Sequence, residues 1–272
     1  MSSIGTRTSK AETVTSKDGM PIAYWRSGEG PPLVLVHGTS ADHDRWGPVL
    51  PVFEQHFTVC AVDRRGRGGS GDSDDYTIER EFEDMAAVVD SIGEPAFLLG
   101  HSYGALCALE AAALTRNVRK LVLYEPPMDV TDEQINPPGV VDRLEALLEA
   151  GDRDGVVATM LREVARVPPE AVEYMRSLPA WQARVAAAHT IPRELRAQEA
   201  YRFDPERFGD LRVPTLLLIG GESPATFEEA EKAVAEALLD SRIVVMPGQS
   251  HVAIDTATDL FTTEVLRFLE RR

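Results

Sequence analysis

Six short runs of mostly apolar residues recur along the chain and limit its fold more than any other feature. They are the segments 33–36, 57–62, 96–99, 121–124, 215–219 and 242–246. Runs this short and continuous suit strands that are buried on both faces, as in parallel sheets. Segments with helical spacing of apolar residues lie between them, such as residues 82–92 before Gly93. The alternation predicts an α/β chain with a mostly parallel, doubly wound sheet.

A β-hairpin is expected ahead of these runs. Residues 13–15 and 22–25 resemble strands and flank Asp18-Gly19, a dipeptide that is favoured in tight hairpin turns. Residues 1–12 are expected to form a flexible tail, because they are polar and lack the apolar stretch of a secretion signal.

The alternation of strand and helix stops between residues 126 and 205. This segment contains several prolines and helical patterns over residues 140–150, 156–166, 169–178 and 180–189. It is too long for a structureless loop in a compact domain. We therefore expect a helical lid over the carboxyl ends of the strands, inserted into a core formed by residues 1–125 and 206–272.

Composition limits the partners of this chain. Its 272 residues suffice for one large α/β domain, and its formal charge is −16. An acidic surface repels phosphate backbones and anionic lipids, which argues against nucleic-acid and membrane partners. No apolar run approaches the roughly 18 residues of a membrane span. Cys60 and Cys107 are expected to be buried thiols rather than metal or redox groups, and the expected location is the cytoplasm.

The strongest chemical motif lies at residues 100–104, which read Gly-His-Ser-Tyr-Gly. It separates the predicted strand 96–99 from a helix predicted to begin at Tyr103. This is the setting of a G-x-S-x-G nucleophile elbow, in which glycines leave room for a sharp strand-to-helix turn. Ser102 is therefore the candidate nucleophile.

The end of the predicted strand 33–36 supplies a candidate oxyanion hole. A His-Gly pair follows this strand, and the next residue is Thr39. The main-chain N–H groups of Thr39 and Tyr103 are expected to stabilise the negative charge of a tetrahedral intermediate. His37 is expected to buttress this loop rather than to take part in proton transfer.

A serine hydroxyl becomes a good nucleophile when a neighbouring imidazole removes its proton. His251 follows the predicted strand 242–246 and, among six histidines, is the one that stands at a strand end late in the chain. We therefore expect His251 to be the general base.

These motifs, together with residues 63–70 (Asp-Arg-Arg-Gly-Arg-Gly-Gly-Ser), resemble the α/β-hydrolase superfamily, in its branch of serine esterases and haloperoxidase-like enzymes. The resemblance covers about residues 20–125 and 206–272. It implies an eight-stranded sheet, a variable lid, and neither cofactor nor metal. Dehalogenases and epoxide hydrolases of this fold carry aspartate at the elbow, so Ser102 directs the expectation to ester, lactone, thioester or amide-like carbonyls. The glycines after Arg65 lack the Lys-Ser/Thr of a P-loop, which argues against a nucleotide.

The acid of the triad has two candidates. The family usually places an aspartate just after the strand that is residues 215–219 here, where this sequence has Ser223. Glu222 could serve if that turn is shifted. A second position used in this fold follows the strand 121–124, where Glu125 stands. We favour Glu125, since a carboxylate at the end of a buried strand must have a reason to be there, and the acid must accept a hydrogen bond from the imidazole.

The substrate pocket is the least determined part. Trp46, Met128, Met160 and Trp181 could line an apolar acyl pocket under the lid, with His189 as a further substrate contact. Ordinary packing of these side chains is the alternative.

Three functions agree with these motifs. The leading hypothesis is hydrolysis of an ester-like bond in a small molecule, such as an apolar acyl ester, a lactone or a thioester. The alternatives are a cyclase or lyase of small-molecule biosynthesis on the same fold, and a ligand-binding protein with a vestigial triad. The sequence leaves a homo-oligomer open.

Overall fold

The computed structural model describes residues 10–131 and 134–271, and it places eight strands in one sheet. The strands are β1 (Lys10–Thr15), β2 (Pro21–Ser27), β3 (Pro32–Val36), β4 (Thr58–Val62), β5 (Ala96–His101), β6 (Val118–Tyr124), β7 (Thr215–Gly220) and β8 (Ser241–Met246). Their order across the sheet is β1-β2-β4-β3-β5-β6-β7-β8. β1 and β2 pair antiparallel, β2 also pairs antiparallel with β4, and all other pairs are parallel. The mostly parallel sheet predicted from the apolar runs is confirmed.

The hairpin of β1 and β2 begins earlier than the sequence predicts. β1 pairs with β2 from Lys10 onward, so residues 10–12, expected in the flexible tail, lie in a strand instead. Alternation of exposed and half-buried residues along β1 is the reason, because an edge strand needs only one semi-apolar face. Residues 1–9 of the predicted tail lie outside the described residues.

Helices cover both faces of the sheet. They are α1 (Leu50–Phe53), α2 (Ile78–Ser91), α3 (Tyr103–Leu114), α9 (Ala225–Ala237), α10 (Ala253–Thr256) and α11 (Thr258–Leu269). Successive strand residues point to opposite faces, so Val34 and Val36 pack in the core under α2, α3 and α9, whereas Leu33 and Leu35 pack with α1 and α11. The doubly wound arrangement follows from this alternation of fully buried side chains.

In residues 126–205, here called the insertion, the described part (126–131 and 134–205) carries five further helices. They are α4 (Val140–Glu149), α5 (Arg153–Thr159), α6 (Pro169–Arg176), α7 (Ala180–Ala186) and α8 (Thr190–Ala200), with a π-helical turn over Met160–Val164. Their apolar faces form a separate cluster around Leu144, Val156 and Trp181. The helical patterns predict α4 to α7 closely, whereas α8 was not predicted.

Short 3₁₀ turns at His43–Trp46 and Pro205–Phe208 complete the regular structure. Within residues 10–131 and 134–271, every helix is too short or too polar to cross a lipid bilayer.

Candidate active site

The turn between β5 and α3 holds Ser102 in a conformation that few non-glycine residues adopt. Its φ is 56° and its ψ is −130°, and its N–H donates a 2.8 Å hydrogen bond to the carbonyl of Tyr124. A Cβ at Gly100 would lie 2.3 Å from the Gly104 oxygen, and a Cβ at Gly104 would lie 2.3 Å from the Val36 oxygen. Both positions therefore require glycine, and the turn between them forces the strained backbone of Ser102.

Glu125 contacts His251 directly. Glu125 follows the last residue of β6, is fully buried, and has its Oε2 atom 2.5 Å from His251 Nδ1. Its other oxygen accepts hydrogen bonds from the N–H of Gly220 at 2.7 Å and from the hydroxyl of Ser223 at 2.6 Å. Through its contact with His251 the Glu125 carboxyl group can accept a hydrogen bond from Nδ1–H, which would leave Nε2 as the ring nitrogen able to accept a proton.

Aromatic rings hold the imidazole of His251. The ring of Phe227 stacks on it with centroids 5.0 Å apart and an interplanar angle of 23°. His101 Nε2 donates a 2.9 Å hydrogen bond to the main-chain oxygen of His251. Burial lowers the pKa of His101 well below its ordinary value, so this side chain is neutral. The loop of His251 is thus fixed from the elbow and from α9.

The Tyr124 side chain also holds the loop that carries His251. Its hydroxyl donates to the carbonyl of Ser250 and accepts the N–H of Ala253 at 3.0 Å. The end of β6 therefore positions both the carboxylate of Glu125 and the loop that presents His251.

The loop after β3 lies against the nucleophile. A Cβ at Gly38 would lie 2.8 Å from Ser102 Cβ, so glycine allows the close approach. Among the described residues, the main-chain N–H groups of Thr39 and Tyr103 donate to no acceptor. His37 Nδ1 donates to the Gly38 oxygen at 2.8 Å, and its Nε2 accepts the N–H of Arg64 at 3.2 Å. Burial lowers the pKa of His37, so this residue buttresses the loop in its neutral form.

Ser102 and His251 line one cavity of about 280 Å³. In the described part of the chain, Ser102 Oγ makes no hydrogen bond to His251. Catalytic hydrogen bonds are often long or misaligned until a substrate is bound.

The cavity has two walls. The core wall holds the two residues named above together with Thr39, Glu222 and Phe227, and the insertion wall holds Asn136, Met160, Arg166, Leu195 and Gln198. Residues of the insertion and of the core therefore line the same cavity.

The structure separates the predicted pocket residues. Met160 lines the cavity, but the other four do not. Trp46 and Met128 are buried in the two cores that flank the sheet. Trp181 lies in the core of the insertion, where its indole N–H donates to Asp154 at 2.7 Å.

His189 faces away from the cavity. Its Nε2 lies 2.8 Å from an Asp72 oxygen and its Nδ1 lies 2.9 Å from Arg153 Nη2. Four of the five predicted pocket residues were chosen because they are large and apolar. Ordinary core residues are large and apolar too, so these properties do not identify a pocket residue.

The alternative acid, Glu222, lies on the rim of the cavity. Its side chain is exposed, its N–H donates to the Gln249 oxygen at 2.8 Å, and its carboxylate forms no ion pair or hydrogen bond to a described residue. The structure brings Ser102, His251 and Glu125 together, and it places Glu222 beside them at the surface.

Asn136, Arg166 and Gln198 were missed by sequence reasoning. Gln198 lies on α8, and a signal for that helix was present, because Pro192 in the first turn and Glu194 soon after are typical of a helix start. Asn136 and Arg166 lie in irregular segments, where no periodicity indicates which way a side chain points.

The chain was compared with protein families and with solved structures. The sequence matches the alpha/beta hydrolase family over residues 33–263. It is 38% identical to an alpha/beta hydrolase from Sphaerobacter thermophilus whose crystal structure superposes with a TM-score of 0.82, covering 95% of this chain and 100% of that one.

Two characterised relatives are more distant. A 2-hydroxy-6-oxo-6-(2'-aminophenyl)hexa-2,4-dienoic acid hydrolase from Metapseudomonas resinovorans is 24% identical over 96% of this chain and 91% of its own length. A 2-(acetamidomethylene)succinate hydrolase from Mesorhizobium japonicum is 26% identical over 89% of both. Since the family match spans most of the chain and the Sphaerobacter hydrolase is 38% identical over 95% of this chain, the protein belongs to the alpha/beta hydrolase family.

Proposed function

We propose that this protein is a serine hydrolase that cleaves an ester-like bond of a small molecule through an acyl-enzyme. The contact between Glu125 Oε2 and His251 Nδ1 carries the proposal, because it orients the free Nε2 as a base. Ser102 stands on the elbow and lines the same cavity. The two relatives named as hydrolases of small molecules support the same class of substrate.

The first half of the proposed reaction forms the acyl-enzyme. Ser102 Oγ attacks the carbonyl carbon while His251 Nε2 takes the hydroxyl proton. The carbonyl oxygen becomes an oxyanion that the N–H groups of Thr39 and Tyr103 stabilise. These two donors are free among the described residues, so they are available without reorganisation. His251 then gives its proton to the leaving oxygen as the bond from that oxygen to the carbonyl carbon breaks.

The second half releases the acid. Water replaces the leaving group, His251 takes one of its protons, and the hydroxide oxygen attacks the acyl carbon. The bond to Ser102 Oγ breaks, and His251 returns the proton to that oxygen. Throughout, the ionised Glu125 stabilises the imidazolium. The insertion acts as the lid over this cavity, a role that the insertion residues lining it, such as Met160 and Leu195, support.

Covalent labelling tests the proposal. A fluorophosphonate should form one adduct on Ser102, and 4-nitrophenyl esters should show a burst of nitrophenol equal to the enzyme concentration. Ser102→Ala should lose the adduct and lower kcat by more than about 10³-fold.

Ser91→Ala is the matched control, because the Ser91 hydroxyl donates to the Val88 oxygen in α2, outside the cavity, and its loss should change neither result. An intact Ser102 after labelling, with no ester turnover, would contradict the hydrolase and favour a lyase, a cyclase or a binding protein.

A further inference from the structure

We propose that the insertion wall of the cavity is a binding site for a carboxylate of the substrate, formed by Gln198, Asn136 and Arg166. This inference rests on the proposed function, because it concerns the part of the substrate that lies away from the carbonyl attacked by Ser102. The site would select acyl compounds with a second, anionic end.

Two amide side chains on this wall are buried without hydrogen-bond partners. Gln198 is 2% exposed, and its Nε2 donates to no acceptor in the described chain. Asn136 is 3% exposed, and neither Nδ2 nor Oδ1 reaches hydrogen-bond geometry with a described residue. Burial raises the pKa of Glu199, whereas Arg196 and the neighbouring Asn136 amide lower it, so the Asn136 N–H already faces a carboxylate.

A buried polar group without a partner destabilises a folded protein, so such groups usually have one. Both amides line the cavity, and the Gln198 N–H is a donor without an acceptor among the described residues. A ligand oxygen that enters the cavity would supply that acceptor. A carboxylate suits this donor and the Arg166 guanidinium better than an alkyl chain, which would leave both unpaired.

Arg166 provides the positive charge beside these amides. It follows the π-helical turn, lines the cavity, and forms no ion pair or hydrogen bond within the described residues. Its φ is 55°, in the left-handed region. The other described non-glycine residues with positive φ are Ser40, Ser102 and Glu125. Each of these belongs to the catalytic site or to the loop that follows Thr39. Strained backbone is concentrated at functional sites, and Arg166 is the one such residue on the insertion wall.

The opposite wall is negative. Glu222 lies on the rim of the core wall, and the Glu125 carboxyl group lies behind His251. An anionic group would be repelled there and attracted by Arg166. The distribution of charge therefore orients the substrate, with the scissile carbonyl at Ser102 and the carboxylate at Gln198.

Matched esters test the site. We would compare 4-nitrophenyl monoesters of succinate, glutarate and adipate with the corresponding carboxamide esters and alkyl esters of equal length, after subtracting spontaneous hydrolysis. At the best length, kcat/KM for the carboxylate ester should exceed that for the alkyl ester by at least about 10-fold, as expected for a charge-assisted hydrogen bond. The carboxamide ester should fall between them.

Two variants assign the preference to residues. Arg166→Gly suits the positive φ and removes the guanidinium, so it should lower the carboxylate-to-alkyl ratio without loss of stability, whereas Arg166→Lys should retain most of it. Gln198→Leu should lower the same ratio. Gln182→Leu and Arg212→Ala are the controls, because both side chains are exposed outside the cavity and should leave the ratio unchanged.

The outcomes separate this inference from the proposed function. Ester turnover with no preference for the carboxylate at any length would overturn the carboxylate site and leave the hydrolase standing. If no ester is hydrolysed but Ser102 is still labelled, glutarate should protect it from the fluorophosphonate and valeramide should not. Equal protection, or none, would overturn the site. No labelling of Ser102 at all would instead contradict the hydrolase.

Discussion

Four non-glycine residues in the described chain adopt positive φ, and all four lie around one cavity or in the loops that form it. Each such residue costs roughly 1–3 kcal/mol, so the surrounding contacts must hold it in place. For Glu125 these contacts are the hydrogen bonds that its carboxylate accepts from Gly220 and Ser223, and the one that its N–H donates to Glu231. The carboxylate is therefore held rigidly for the imidazole.

The first prediction at this scale distinguishes the two candidate acids. Glu125→Gln should lower kcat for a 4-nitrophenyl ester by about 10³–10⁴-fold with little change in KM, because an amide cannot stabilise the imidazolium or fix its tautomer. Glu222→Gln should change kcat little, since the Glu222 carboxylate forms no ion pair or hydrogen bond with a described residue. Steady-state kinetics of both variants decide the matter. A large loss in Glu222→Gln alone would transfer the role to Glu222.

A second prediction concerns Glu231, which accepts the N–H of Glu125 and is fully buried. Burial raises its pKa well above the ordinary value of 4.5, and the charge of Glu125 adds to this effect. The folded protein therefore binds this proton more tightly than the unfolded chain. The resulting stability is complete below about pH 4.5 and is lost as the pH rises towards the raised pKa of the folded state.

Glu231→Gln keeps the acceptor and cannot ionise. Its free energy of unfolding, relative to that of the wild type, should therefore increase steadily as the pH rises from about 4.5 to 8. Urea unfolding of both proteins at several pH values measures this difference. A difference independent of pH would show that Glu231 does not ionise abnormally.

At the scale of elements, the strands could be predicted because strands buried on both faces of a parallel sheet read as short continuous apolar runs bounded by turn residues. Glu125 could be predicted as the triad acid because it directly follows one such run, residues 121–124. The cavity could not be predicted in the same way, because α8 and residue Arg166 reach it through the tertiary packing of the insertion. Trp46 was selected for its size, and the same property buries it in the core with α1.

The next prediction concerns Gly104, in the tight turn between β5 and α3. Gly104→Ala would bring a Cβ within 2.3 Å of the Val36 oxygen and 2.4 Å of the His37 oxygen. Both are backbone atoms, so α3 must move, and we expect a loss of about 1–3 kcal/mol in the free energy of unfolding together with lower activity. Gly209→Ala is the control. Its Cβ would meet its nearest neighbour at 3.7 Å, and its φ is −59°, which suits alanine. Similar losses in both variants would contradict this account of the elbow.

At the scale of the whole molecule, the insertion has its own apolar cluster but is joined to the core by buried charges. Glu194 on α8 forms ion pairs with Arg67 and, at 3.1 Å, with Arg64, and all three side chains are almost fully buried. Arg64 also pairs with Glu81 on α2 and stacks over the ring of Tyr103. The same charges that hold α8 therefore also support the start of α3, where the proposed oxyanion donor, the Tyr103 N–H, lies.

Removal of the Glu194 carboxylate should therefore destabilise both the insertion helix α8 and the core around the start of α3. Glu194→Leu leaves Arg67 buried with no carboxylate partner among the described residues, and breaking a buried pair in this way costs about 3–5 kcal/mol. Glu145→Leu on α4 removes a half-exposed partner of Arg196 at 2.7 Å and should cost about 1 kcal/mol or less. Urea unfolding measures both free energies, and amide hydrogen exchange should show faster opening of α8 in Glu194→Leu.

A double variant separates lost pairing from lost packing. Arg67→Met together with Glu194→Leu removes both charges and replaces them with apolar side chains, so it should regain most of the stability that Glu194→Leu loses. The regained stability arises because the cost lies in the uncompensated guanidinium rather than in the absent carboxylate. If the double variant is as unstable as the sum of the single variants, the two charges do not act as a pair, and the insertion is joined to the core mainly by apolar contacts.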